Sequence, residues 1–170
     1  MPEVQSILEA LRGARDLAAF AVNEAENNRE RGRARHLQSL IEALRLIYFS
    51  PKGVLLLIER MAAGEQPSRE QIEAILPHFN DGEFAVERML RRLDPERGQP
   101  DGILSLRAER VLREISYGKG GVREKVQHLL NYSMTYDLPI DRKEAAELHK
   151  EVVALNEAIE HAEEALISSL

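Results

Sequence analysis

Apolar residues recur along most of this chain in alternating steps of three and four, the spacing that places them on one face of an α-helix. From Val4 the series continues through Ile7, Leu11, Ala14, Ala18, Ala21 and Ala25, widened by Leu8, Leu17, Phe20 and Val22. It predicts a long amphipathic first helix whose alanine-rich seam lets a neighbouring helix approach closely. Gly13 interrupts that helix, and Asn23, Asn27 and Asn28 weaken its far end. The turn into a second helix is expected within the arginine cluster that follows, and Leu37, Leu40, Ile41, Leu44, Ile47 and Tyr48 form the second helix's apolar face.

Local start and stop signals divide the rest. Ser50-Pro51 reads as a helix restart, because serine can cap free N–H groups and proline loses no bond at the first helical position. The segment 51–63 is then helical and apolar nearly all round, which makes it the expected central helix, with Gly64 ending it. Ser68 and Gln71 fit a capping box for a helix carrying Ile72, Ile75 and Leu76. Pro77 is expected to kink that helix or to lie in its last turn, and Asn80-Asp81-Gly82 to begin another that carries Phe84, Val86, Met89, Leu90 and Leu93. The stretch Asp94 to Gly102, rich in proline, glycine and charge, reads as a long surface loop within one domain of 1–170, with 1–93 and 103–170 as candidate subdomains.

Beyond it, helices are expected over 103–115 and from Val122 to about Tyr136, separated by Tyr117-Gly118-Lys119-Gly120-Gly121, with Leu138-Pro139 as a stop. Asp141 and Glu144 give a second cap signal. The helix after it has the cleanest pattern in the chain: Ala145, Leu148, Val152, Leu155, Ile159, Ala162 and Leu166 alternate steps of three and four without a break. No strand alternation of similar strength and no internal repeat occurs. The expected fold is all-α, a single bundle of about six or seven helices with a long C-terminal amphipathic helix.

Composition narrows the chemistry. Without cysteine the chain has no disulfide, thiol nucleophile or thiolate metal site, and this fits a reducing compartment. The longest apolar run, Leu17 to Val22, is far short of the roughly 20 residues of a membrane span, and Met1-Pro2-Glu3 lacks a basic leader. A cytoplasmic protein without a membrane partner is expected. None of the five histidines follows a glutamate by three residues, and no HExxH motif exists, so neither metal nor cofactor is expected.

The net charge of -6 argues against general nucleic-acid coating, which rests on basic patches. Charge is unevenly spread. Arg29, Arg31, Arg33 and Arg35 surround a single Glu30, Arg107 to Lys125 is basic, and the last thirty residues are acidic. The loop Gly118-Lys119-Gly120-Gly121 ahead of Arg123 places backbone N–H groups and cations at a helix start, a candidate anion site formed by Lys119, Gly120, Gly121 and Arg123. It lacks the P-loop spacing. Next to it Tyr132 and Tyr136 share a helical face, equally suited to packing or to contact with a ligand or protein.

Arg142 and His149 stand with six residues between them, and Arg123 and His128 with four. This spacing resembles that of small helical HEPN ribonucleases, which place an arginine shortly ahead of a histidine near a helix start. The resemblance implies an RNA-cleaving or RNA-binding protein in which paired protomers bring arginine and imidazole to the phosphate. Lys143 and Glu124 follow the arginines where that family carries asparagine or aspartate.

The clearest signals concern helix association and none assembles a catalytic set. The expectation is therefore a noncatalytic helical interaction or regulatory module, self-associating as a homodimer or binding another protein. β-Branched Val152 and Ile159 with Leu155 form a seam suited to two-stranded packing and are the expected partner face, together with Arg31, Arg33 and Arg35.

Overall fold

Side-chain caps set where two of the helices begin. In the computed structural model, which describes residues 19, 34–93, 121–168 and 170, the Ser68 hydroxyl accepts from the Gln71 amide at 3.2 Å while Gln71 Oε1 accepts from the Ser68 amide at 2.9 Å. Asp141 Oδ1 accepts from the Glu144 amide at 2.9 Å. Each cap satisfies N–H groups that have no partner within the first helical turn. The described helices are α1 (Ala34–Ile47), α2 (Val54–Ala62), α3 (Arg69–Leu93), α4 (Val122–Tyr136) and α5 (Arg142–Ile167). No strand occurs among the described residues, and no described helix is long and apolar enough to cross a membrane. The expected helices over 4–25 and 103–115 and the loop 94–102 lie outside the described residues.

Two boundaries differ from the sequence reading. Ser50 does not cap α2. Its carbonyl accepts from the Gly53 amide at 3.1 Å, which closes a turn through Pro51 and Lys52, and the helix begins at Val54. The restart expected at Asn80-Asp81-Gly82 is absent, since α3 runs through both Pro77 and that tripeptide. Buried Ile72 and Phe79 lie seven residues apart on one stripe, with Ile75 and Leu76 packed against the core between them. Packing along this stripe outweighs the missing proline N–H and the local turn preference.

Gly64 ends α2 as expected, at φ +98°, a conformation that a side chain would strain. α4 ends differently. Asp137 takes the left-handed conformation (φ 51°), and the Leu138 amide reaches back to the Ser133 carbonyl at 3.3 Å.

The core forms where α5 packs along α1 and α2, α1 packs on α3, and α4 contacts α3 and α5. Leu40, Leu44 and Ile47 from α1, Ile58 and Met61 from α2, Leu130 from α4, and Ile159 and Leu166 from α5 are fully buried. Each such side chain contributes about 1.5–3 kcal/mol relative to an exposed one. One hydrophobic cluster contains residues from both sides of the 94–102 stretch. At its edge Arg45 Nε donates to Glu163 at 2.7 Å and the Tyr48 hydroxyl donates to Glu160 at 2.6 Å. The Glu160 carboxylate, by accepting that bond, holds the phenol above its ordinary pKa.

Two side-chain amides clamp loops to this core. Buried Asn156 accepts from the Phe49 amide at 2.9 Å and donates to the Phe49 carbonyl at 2.8 Å. Gln66 makes the same pair of bonds with Ile140, at 2.9 and 3.0 Å. An Asn156→Ala variant would leave both buried Phe49 groups without these partners. We expect it to lose about 2–4 kcal/mol, at about 1–2 kcal/mol for each of the two groups, the lower part of the range usual for an unsatisfied buried group. Thermal unfolding followed by circular dichroism would show this as a midpoint lowered by roughly 4–16 °C.

Candidate functional site

The outer face of α4 is built by residues four apart. Val126, Leu129 and Leu130 turn inward, which leaves Glu124, His128, Tyr132 and Tyr136 on the opposite stripe. His128 stacks on Tyr132 with ring centroids 6.2 Å apart and planes at 15°, and Tyr132 meets Tyr136 at 4.8 Å and 50°. Both tyrosines are open to solvent, Tyr132 at 48% and Tyr136 at 62% of full exposure, and Leu138 beyond them is exposed too. The row places ring surface in mutual contact on the outside of α4, beside a closed core.

The row leads into a cleft of about 430 Å³ between α4 and α5. Glu124, Lys125 and His128 line one wall, and Glu144, Glu147, Leu148 and Glu151 the other. The carboxylates of α5 follow from sequence spacing: 144, 147 and 151 lie three and four apart on the face turned to α4. Glu151 is 5% exposed and accepts from Lys125 Nζ at 2.9 and 3.1 Å. This ion pair fixes the floor of the cleft. Four glutamates against one lysine give the lining a net negative charge. Among the described residues no group of three or more histidine and carboxylate side chains has metal-holding geometry.

Arg123 lies elsewhere than on an anion-facing surface. It is 8% exposed, donates from Nη1 to the Ile47 carbonyl at 3.1 Å, and sets its guanidinium 5.3 Å from the Phe49 ring centroid and 5.2 Å from that of Phe79. The two rings are themselves in contact at 5.9 Å. Arg123 therefore works as a packing residue that joins α4 to the end of α1 and to α3. Its spacing from exposed His128 does not bring the two together, because five helical positions turn side chains about 140° apart. Arg142 and His149 do share a stripe, two turns and about 10.5 Å apart along α5. There Arg142 Nε donates to the Ala62 carbonyl at 3.2 Å, while His149 is half-buried.

The seam residues are placed in the interior as well. Val152 is 0% exposed, and Leu155 and Ile159 are buried with it where α5 packs on α1 and α2. The seam proposed from sequence as a partner face is thus closed by the chain's own helices. Arg31, Arg33, Lys119 and Gly120 lie outside the described residues, as does the side chain of Arg35, and Gly121 is the residue before α4. The shared face of Tyr132 and Tyr136 is legible in the sequence, whereas the glutamates opposite are not among the site residues singled out from it. The three-and-four spacing of Glu144, Glu147 and Glu151 was the available signal.

No family model matches this chain, and neither a curated protein nor a solved structure shows significant similarity to it.

Proposed function

We propose that this chain is a noncatalytic helical interaction module that docks a protein partner on the outer face of α4. The observation that carries this reading is the exposed row His128, Tyr132 and Tyr136 beside a closed core. Amphipathic rings held on a helix provide large contact area at small entropic cost, and tyrosine is enriched at the centres of protein interfaces for this reason. None of the residues along the row has an oriented partner of the kind that nucleophilic or acid-base catalysis requires, and Arg123 is engaged in packing.

The test is a photo-crosslinking amino acid placed at Tyr136 or, as control, at exposed Lys52 on the α1–α2 turn, in cells that produce the chain. A discrete protein adduct from position 136 and none from position 52 is expected. Equal yields from the two positions, or no adduct at 136, would contradict the reading.

A further inference from the structure

We infer that the partner presents an arginine-rich segment, its guanidinium groups lying on the Tyr132 and Tyr136 rings and reaching the carboxylates of the α4–α5 cleft. The inference rests on the docking face proposed above and adds the chemistry of its occupant. His128 belongs to both features, since it lines the cleft and stacks on Tyr132, so rings and carboxylates form one continuous surface. An apolar partner would have to desolvate Glu144, and Glu147 together with the Lys143 ammonium 3.9 Å from it, without replacing their water, which costs several kcal/mol for each poorly paired charge. A nucleic acid could stack bases on the tyrosines, but its phosphates would meet a lining of four glutamates and one lysine in a chain of net charge -6.

A cationic segment suits both halves. Guanidinium stacks flat on an aromatic face and forks onto a carboxylate, whereas an ammonium offers only a point charge. Spacing bears on how densely the arginines must lie. An extended chain repeats same-side residues about every 6.7 Å, close to the 6.2 Å between the His128 and Tyr132 rings and longer than the 4.8 Å between those of Tyr132 and Tyr136, a pair that one guanidinium can serve. Lys125 does not compete for this role, because Glu151 holds it at the floor of the cleft.

The probe is a fluorescein-labelled peptide of four arginines alternating with serine, titrated with the full chain and read by anisotropy. Lysine, glutamate and leucine counterparts and a single-stranded oligoribonucleotide serve as parallel arms. Saturable binding of the arginine peptide is expected, weakened about tenfold or more by Tyr132→Ser/Tyr136→Ser and by Glu144→Gln/Glu147→Gln, with the lysine peptide several-fold weaker. Circular dichroism of each variant confirms that it is folded. No saturable binding, or binding that ignores the tyrosines and treats arginine and lysine alike, would overturn the inference. If instead the leucine peptide or the oligoribonucleotide binds through Tyr132 and Tyr136, an arginine-rich occupant is ruled out. A Tyr136 adduct formed in cells would still uphold the docking face in that case, so the two failures are distinguishable. A solution mass of two chains that falls to one in the tyrosine variant would replace a foreign partner by a second copy, whose Arg29, Arg31, Arg33 and Arg35 alternate as those of the probe do.

Discussion

A Val152→Asp variant should fail to fold. Val152 is fully buried where α5 packs on α1 and α2, so the substitution removes an apolar side chain worth about 1.5–3 kcal/mol. It also places a carboxylate in the interior, at several kcal/mol more unless the group is protonated. The sum rivals the 5–15 kcal/mol of total stability usual for a domain. The expected circular-dichroism record shows reduced helicity and no cooperative transition at neutral pH. Ile159→Asp should behave alike. If Val152 and Ile159 instead formed a seam between two chains, both variants would stay helical and run as folded monomers in a mass measurement.

Arg123→Ala should be the second large loss. The variant gives up a charged hydrogen bond to the Ile47 carbonyl, worth about 1.5–3 kcal/mol, and guanidinium contacts with Phe49 and Phe79. Each desolvated cation–π contact adds about 1–2 kcal/mol, and the recovered solvation of the guanidinium offsets part of the total. A net loss of about 3 kcal/mol is expected, seen as a thermal midpoint lowered by roughly 6–12 °C. Arg123→Lys should restore less than half of the difference, since an ammonium cannot lie flat between the rings and the carbonyl. Were Arg123 a surface cation waiting for phosphate, both substitutions would leave the midpoint nearly unchanged.

These two residues mark where sequence and structure part. The pattern of α5 identifies Val152, Leu155 and Ile159 as a buried seam, and it is one. Periodicity is the same whether the covering helix belongs to the same chain or to another, so the seam's partner could not be read from it. Arg123 looked like part of a basic loop because its neighbours Lys119 and Lys125 are basic. Yet it stands three residues before Val126 and seven before Leu130, on the same inward stripe. Asn156 likewise falls four after Val152 and three before Ile159, in register with the core rather than with the polar face. A polar residue in register with an apolar stripe is the signal that would have found both.

Local chemistry was read more reliably where it acts alone. The Ser68–Gln71 and Asp141–Glu144 caps and the Gly64 stop are each decided within a few residues, and the structure has them. Asn80-Asp81-Gly82 carries an equally strong turn signal and sits inside α3, which runs on to Leu93 past the buried Ile72 and Phe79. The candidate site was half visible. Tyr132 and Tyr136 are paired by spacing within one helix, but the opposing Glu144 and Glu147 join them only through the antiparallel return of α5 after the Asp137–Asp141 turn.

The proposal for α4 depends on the tyrosine row being surplus to the fold, and the thermal midpoint of Tyr132→Ser/Tyr136→Ser measures that directly. Exposed positions contribute within about 0.5 kcal/mol each, so a midpoint within roughly 4 °C of the parent is expected. A fall of about 8 °C or more would mean that the rings hold the chain itself together, and the α4 face would cease to be a candidate for docking.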